Sequence, residues 1–331
     1  MNKKLSIFSF PDKNPEYVQL QIDSYNKYMN DGNTEFIIVN CSDINYDIIE
    51  NICSENNIRT IKYDGPRIPF PSFVVEQLNW FRDNIQNNID DLILILHSDM
   101  FFINTLDYER LMENKKLYYN PQYKDTPYHR ISHGNFQYHY MWDGILLFDS
   151  GYFNKNDLRK LFIWNQIPGI SDVGGQTSEL IKSLNEKDYS YFEFWNYNDC
   201  KNDTLATSLN GGIGYEIDVN NKKFLDTGLF KHLYPTINTI PQMYNKSFPY
   251  ENDNDDYVEY YSNKFIDVKK FFIDGYDYID PVSIDIICPF GEEIENAPVF
   301  HFKSGSGYAP FYNDEYSKRK LEQIKKIINR K

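Results

Sequence analysis

Cysteine is scarce in this 331-residue chain. The four thiols stand at positions 41, 53, 200 and 288, and no two form a CxxC pair. Neither a zinc knuckle nor a thioredoxin-type redox site is indicated, and a reduced, cytoplasmic setting fits best. Long apolar runs are missing too. The first residues are broken by Ser6, Ser9 and Pro11, too soon for a signal peptide, and no stretch approaches the length of about 18 apolar residues that spans a bilayer. Positive charge is in deficit: 34 Lys and Arg against 48 Asp and Glu give a net charge of -14. Nucleic-acid binding needs a basic footprint to displace counterions, so no nucleic-acid partner is expected. Glycine is absent from the loop Ser9-Phe10-Pro11-Asp12-Lys13. That argues against a nucleotidyltransferase, which would carry a basic glycine-rich loop there.

What is present suffices for a large core, with 41% hydrophobic residues. At roughly 150 residues per domain the length allows one large domain or two small ones. Tyr and Phe are abundant, 28 and 24. Tyr suits surfaces that grip amphipathic ligands such as sugars; the same bias towards Asn, Ile, Lys, Asp and Tyr is also what an AT-rich genome encodes.

Strand-like and helix-like segments alternate over the first 150 residues. Leu5–Phe8, Phe36–Val39, Ile58–Tyr63 and Leu92–Leu96 read as strands. Glu16–Met29, Ile44–Asn56 and Phe73–Asn88 read as helices, the last with Ser72 as N-cap. Strands separated by helices imply βαβ units and a parallel sheet, and a run such as Leu-Ile-Leu-Ile-Leu suits a sheet covered on both faces. Further on, Met141–Asp149 and Val299–Lys303 are strand-like, and Thr177–Asn185 reads as a helix capped by Thr177. A hairpin is expected around 215–225, turning at Asn220-Asn221. The chain closes in a basic amphipathic helix, Asp314–Arg330, suited either to packing on its own domain or to peripheral contact with an anionic membrane.

In parallel sheets ligands bind beyond the carboxyl ends of the strands. Ser9, Asp43, Asp64 and Asp99 each follow a strand run, as turn formers or as a shared ligand edge. Asp99, directly after Leu92–Leu96, suits a hard divalent cation that bridges phosphates. His301 sits in the apolar frame Phe300-His301-Phe302 ahead of Lys303 and the loop Ser304-Gly305-Ser306-Gly307, where small residues let backbone N–H groups approach phosphate oxygens. His129, His133 and His139 lie in an aromatic stretch that reads as an acceptor-binding loop rather than a zinc site.

Leu92–Phe102, followed by Met141–Asp149 and Val299–Gly307, resembles the GT-A glycosyltransferase pattern. That family has an apolar strand ending in a DxD motif, then a segment with a small residue and an apolar strand, and late in the chain a histidine before a glycine-containing phosphate loop. Here the DxD place reads His97-Ser98-Asp99. The resemblance implies an α/β, GT-A-like (Rossmann-like) fold: a mixed, mainly parallel sheet flanked by helices, with an irregular acceptor-side half. Residues 1–190 would form the nucleotide-sugar-binding region. Residues 191–331 would form the acceptor side, with a phosphate and metal loop near 301, in one continuous catalytic domain.

By the same resemblance Asp99 and His301 would hold Mn2+ or Mg2+. Lys303, Gly305 and Ser306 would lie near the diphosphate of a UDP- or GDP-sugar, and Trp142-Asp143-Gly144 would line the donor-sugar or acceptor side; Ser9, Asp43 and Asp64, placed by their strand ends, would join the donor edge. His97 replaces the first acid, as a metal ligand or as a contact to ribose or sugar. Asp143 and Asp172 are the candidate carboxylates for a hydroxyl acceptor on a glycan or glycosylated molecule. Gln176 could place an amide beneath the sugar, approached closely through Gly174-Gly175. A non-catalytic carbohydrate-binding module on the same fold is the alternative reading.

Overall fold

The computed structural model describes residues 3–68, 72–124, 138–165, 173–196, 204–206, 216–218, 223–224, 284–302 and 314–329. The N-terminal part alternates as its periodicity predicts. It runs β1 (Leu5–Ser9), α1 (Pro15–Tyr28), β2 (Thr34–Asn40), α2 (Tyr46–Glu55), β3 (Arg59–Lys62), α3 (Ser72–Asn84) and β4 (Leu92–Leu96). Pro15 opens α1, where its missing N–H costs nothing. Ser72 is the first residue of α3 rather than its cap, and α3 ends at Asn84, followed by a separate 3-10 turn at Gln86–Asn88.

Next come β5 (Met100–Phe102), α4 (Tyr108–Met112), β6 (Leu117–Lys124), β7 (Tyr138–Asp149), α5 (Ser150–Lys155) and α6 (Ser178–Ser183). They are followed by β8 (Tyr189–Asn196), β9 (Thr204–Ala206), β10 (Glu216–Asp218), β11 (Lys223–Phe224), β12 (Ile284–Pro289), β13 (Val299–Phe302) and α7 (Asp314–Ile328).

One ten-stranded sheet has the order β3-β2-β1-β4-β7-β6-β8-β12-β13-β5. β3, β2, β1 and β4 run parallel. From β4 onward the neighbours are antiparallel, apart from the parallel pair β6–β8. β8 straddles residue 190, and β12 and β13 join the same sheet, so this sheet runs across the boundary expected there. β9, β10 and β11 form a separate small sheet, with β10 and β11 pairing antiparallel where the hairpin is expected.

β4 shows why the sheet is covered on both faces. Its five residues are all buried. Ile93 and Ile95 join one apolar cluster, with Val75, Leu78 and Phe81 of α3. Leu92, Leu94 and Leu96 join the other, with Ile49 and Cys53 of α2. At roughly 1.5–3 kcal/mol for each fully buried Leu or Ile, this strand is a firm anchor for whatever follows it.

The chain turns at once after β4, since Met100 N donates to His97 O (3.0 Å). Yet β5 lies six places away in the strand order, hydrogen-bonded to β13. Two strands joined by so short a turn cannot be far apart, so the run from β4 to β5 curls back on itself. The turn His97–Met100 closes that curl and brings residues near 300 against residues near 97.

The C-terminal helix spends its apolar side on its own domain. Ile324, Ile327 and Ile328 are buried in the first cluster, and Lys27 Nζ (2.7 Å) and Tyr28 Oη (2.9 Å) of α1 donate to Ile328 O. Among the described residues no helix is long and apolar enough to cross a membrane. Cys41, Cys53 and Cys288 are buried thiols. Burial pushes the Cys53 thiol up to about 12 and Cys41 higher still, which leaves neither as a nucleophile near neutral pH.

Candidate functional site

β4 delivers His97, Ser98 and Asp99 to the edge of the sheet where the parallel strands β1, β2 and β3 also end. Asp99 is buried (3% exposed), and its Oδ1 has no hydrogen-bond partner. That oxygen faces two imidazole nitrogens: His301 Nε2 at 3.6 Å and His97 Nδ1 at 4.0 Å. One ligand atom from each of the three residues lies within 4.8 Å of the others. Ligand atoms bound to one ion at about 2.0–2.2 Å sit roughly 3–4 Å apart; the two edges to Asp99 Oδ1 fall in that range, and the third would have to close to about that length around an ion. An unpartnered buried carboxylate oxygen costs roughly 1–3 kcal/mol, and a cation at the centre of the triangle would remove that cost. Two imidazoles and one carboxylate suit a transition ion such as Mn2+ better than Mg2+, which prefers oxygen.

Each histidine has a second anchor. His97 Nε2 lies 2.9 Å from Asp143 Oδ2, and His301 Nδ1 lies 3.2 Å from Asp285 Oδ2. Asp285 is directly opposite His301 across the β12–β13 pair and is only 1% exposed. Trp142 packs against both imidazoles, with ring centroids 5.1 Å from His97 and 5.5 Å from His301, and against Phe194 at 5.0 Å. Gly144 O accepts from His97 N (2.9 Å), and Phe302 N donates to Asp99 O (2.9 Å). The cluster is therefore tied to β7 on one side and to β13 on the other.

The structure brings Asp99, His301, His97, Trp142, Asp143 and Gly144 together. Ser9, at the end of β1, is fully buried, and its Oγ donates to Gln21 Oε1 (2.9 Å). Gln21 Nε2 in turn donates to His97 O (2.8 Å) and Met100 O (3.0 Å). Ser9 thus braces the His97–Met100 turn through Gln21. Asp43 and Asp64 lie further along the same edge: Asp43 pairs with Arg67 (3.0 Å), and Asp64 accepts from Trp80 Nε1 (2.7 Å).

Gln176 is half-buried in the 3-10 turn Gly175–Thr177. That turn is fixed to β7 where Met141 N donates to Thr177 Oγ1 (2.8 Å). This contact explains why Thr177 does not cap α6 as its sequence position suggests: its hydroxyl is taken by a β7 amide and by Gly174 O (2.7 Å). Asp172, Lys303, Gly305, Ser306, His129 and His133 lie outside the described residues.

Sequence reasoning missed Gln21 and Asp285. Both carried a signal. Gln21 stands in the apolar stripe of α1, beside Val18 and Ile22, and Asp285 interrupts the run Ile284-Asp285-Ile286-Ile287-Cys288. A polar residue where the period calls for an apolar one needs a buried partner. Gln21→Leu is expected to strand Ser9 Oγ, to take a donor from Met100 O and to leave His97 O with Met100 N alone. Urea unfolding should show a loss of about 2–3 kcal/mol, with Mn2+ binding weakened as the turn loosens; a variant as stable as the parent would refute the bracing role.

No protein-family model matches the chain, and no curated protein matches it. Solved structures with a partial likeness to it include glycosyltransferases. The galactosyltransferase LgtC, in complex with donor and acceptor sugar analogs, is 17% identical with a TM-score of 0.38, over 56% of this chain and 73% of that one. The glycosyltransferase GlyE of Streptococcus pneumoniae TIGR4 is 13% identical with a TM-score of 0.37, over 82% of this chain and 64% of that one. The bifunctional WbbM is 13% identical with a TM-score of 0.35 over 49% of this chain, which covers 34% of WbbM's length.

Proposed function

We propose that the protein is a glycosyltransferase of the hexosyl or pentosyl class, moving a sugar from a UDP- or GDP-sugar to a hydroxyl of a glycan or glycosylated acceptor. The observation that carries this is the orphaned Asp99 Oδ1 facing His97 and His301 at the carboxyl ends of the sheet's parallel strands. Asp99, His97 and His301 would hold a divalent ion, with Mn2+ favoured over Mg2+ by the two nitrogen donors. Bound there, the cation would supply the positive charge that offsets a departing nucleoside diphosphate.

This chain's own residues would do the rest. Lys303 follows β13 by one residue and would add a cation beside the phosphates, with Gly305 and Ser306 offering backbone N–H groups. Asp43 and Asp64 line the edge on which the nucleoside would lie, and the fully buried Ser9 would support it through Gln21. Trp142 walls the ion's side of the site, and Gln176, held beside β7, would face the donor sugar. Asp143 Oδ2 is engaged with His97, so Asp172 is the carboxylate proposed to take the acceptor's proton. Buried thiols suit the reducing, cytoplasmic setting read from the sequence.

A thermal-shift screen of UDP-, GDP-, CMP- and TDP-sugars, with and without Mn2+, tests the reading. One nucleotide class at about 100 times its dissociation constant should stabilise the fold by roughly 2.7 kcal/mol, and only with metal. Glycan binding indifferent to nucleotide and Mn2+, with no shift from any nucleotide sugar, would instead identify a carbohydrate-binding module.

A further inference from the structure

We propose that Asp143 and Asp285 are positioning residues that hold His97 and His301 in opposite tautomers, so that each presents a bare ring nitrogen to the ion shared with Asp99. The inference rests on the metal reading above and deepens it. A neutral imidazole carries one N–H, and an ionised carboxylate can only accept. Asp143 Oδ2, 2.9 Å from His97 Nε2, therefore fixes that proton on Nε2 and leaves the lone pair on Nδ1. Asp285 Oδ2, 3.2 Å from His301 Nδ1, does the reverse and leaves the lone pair on Nε2. These are the two nitrogens that face Asp99 Oδ1, at 4.0 and 3.6 Å.

The assignment explains why Asp99 Oδ1 is buried without a partner. On this assignment three acceptors face one point, and among the described residues Asp99 Oδ1 meets no donor there. Such an arrangement is repulsive unless a cation fills it. Turning either histidine to the other tautomer would give Asp99 a donor but set a lone pair against Asp143 or Asp285. Both acids are placed by the sheet: Asp143 is on β7 next to Gly144, whose carbonyl holds His97 N, and Asp285 is the cross-strand partner of His301. Both acids are buried, 4% and 1% exposed, in surroundings that strengthen a hydrogen bond to the imidazole N–H groups. Carboxylates behind ligating histidines fix ring orientation and raise ligand basicity.

The test measures Mn2+ affinity by electron paramagnetic resonance of the free ion for the parent protein, Asp143→Asn and Asp285→Asn. It adds long-range 1H–15N spectra of the parent's histidines with diamagnetic Zn2+ bound. Each variant should lose about 10–100-fold in Mn2+ affinity while keeping its circular dichroism spectrum. In the spectra His97 should be protonated at Nε2 and His301 at Nδ1. Affinity within twofold of the parent in both variants, or the reverse tautomer at either histidine, would overturn the proposal. Should a variant not fold, the parent's spectra decide alone. A parent protein that binds neither Mn2+ nor Zn2+ overturns the metal reading itself, and this inference with it.

Discussion

Asp99→Asn is expected to abolish Mn2+-dependent stabilisation by a nucleotide sugar, to lower turnover at least about a hundredfold, and to make the metal-free protein more stable. The first two effects follow from losing the only carboxylate of the ligand triangle. Removing the metal's charge from a departing diphosphate costs several kcal/mol, and about 2.7 kcal/mol is already a hundredfold. The third effect is specific to this geometry. Without an ion Asp99 Oδ1 has no partner, whereas the Asn amide can donate towards His301 Nε2 or His97 Nδ1 after a small shift from 3.6 or 4.0 Å. Satisfying one buried atom should be worth about 1 kcal/mol. Urea unfolding in chelator, beside thermal shifts in Mn2+, reads both signs. A variant destabilised without metal, or one that still responds to Mn2+, would contradict the assignment of Asp99.

Gly144→Ala should be nearly as damaging although it changes no ligand. A Cβ at residue 144 would stand 2.1 Å from Cη2 and Cζ3 of Trp142, two residues back on the same face of β7. The indole cannot retreat freely, because His97, His301 and Phe194 surround it. The expected result is a destabilisation of about 1–3 kcal/mol from overpacking, together with weakened Mn2+ binding as the imidazoles are displaced. Trp142→Phe in the same chain lacks the outer indole ring and should restore much of the stability. A single variant that unfolds and binds Mn2+ like the parent would show that the indole does not brace the histidines.

The contrast between these two residues marks how far the sequence could be read. Asp99 was legible because chemistry and position coincided: an acid directly after the most apolar run in the chain, at the end of a strand. His301 was legible in the same way, a polar side chain in an apolar frame. The part played by Gly144 was not, since nothing in Trp142-Asp143-Gly144 says that the indole folds back over residue 144. Asp143 was recognised as a site residue, but its partner was not, because His97 lies 46 positions away. Ser9 was expected on the donor edge, and it ends that strand, yet its hydroxyl serves Gln21.

The sequence by itself determined the alternation of strands and helices, the burial of β4 on both faces and the absence of a membrane-spanning helix among the described residues. These follow from local periodicity and composition, which each segment carries alone. It also singled out Asp99 and His301, which the structure sets 3.6 Å apart. Only the tertiary structure decided that β5 leaves β4 to pair with β13, and so that residues 97, 99, 143, 285 and 301 converge on one point. Strand pairing between residues two hundred positions apart depends on the register of whole sheets and on the turn that closes them. No local pattern encodes it.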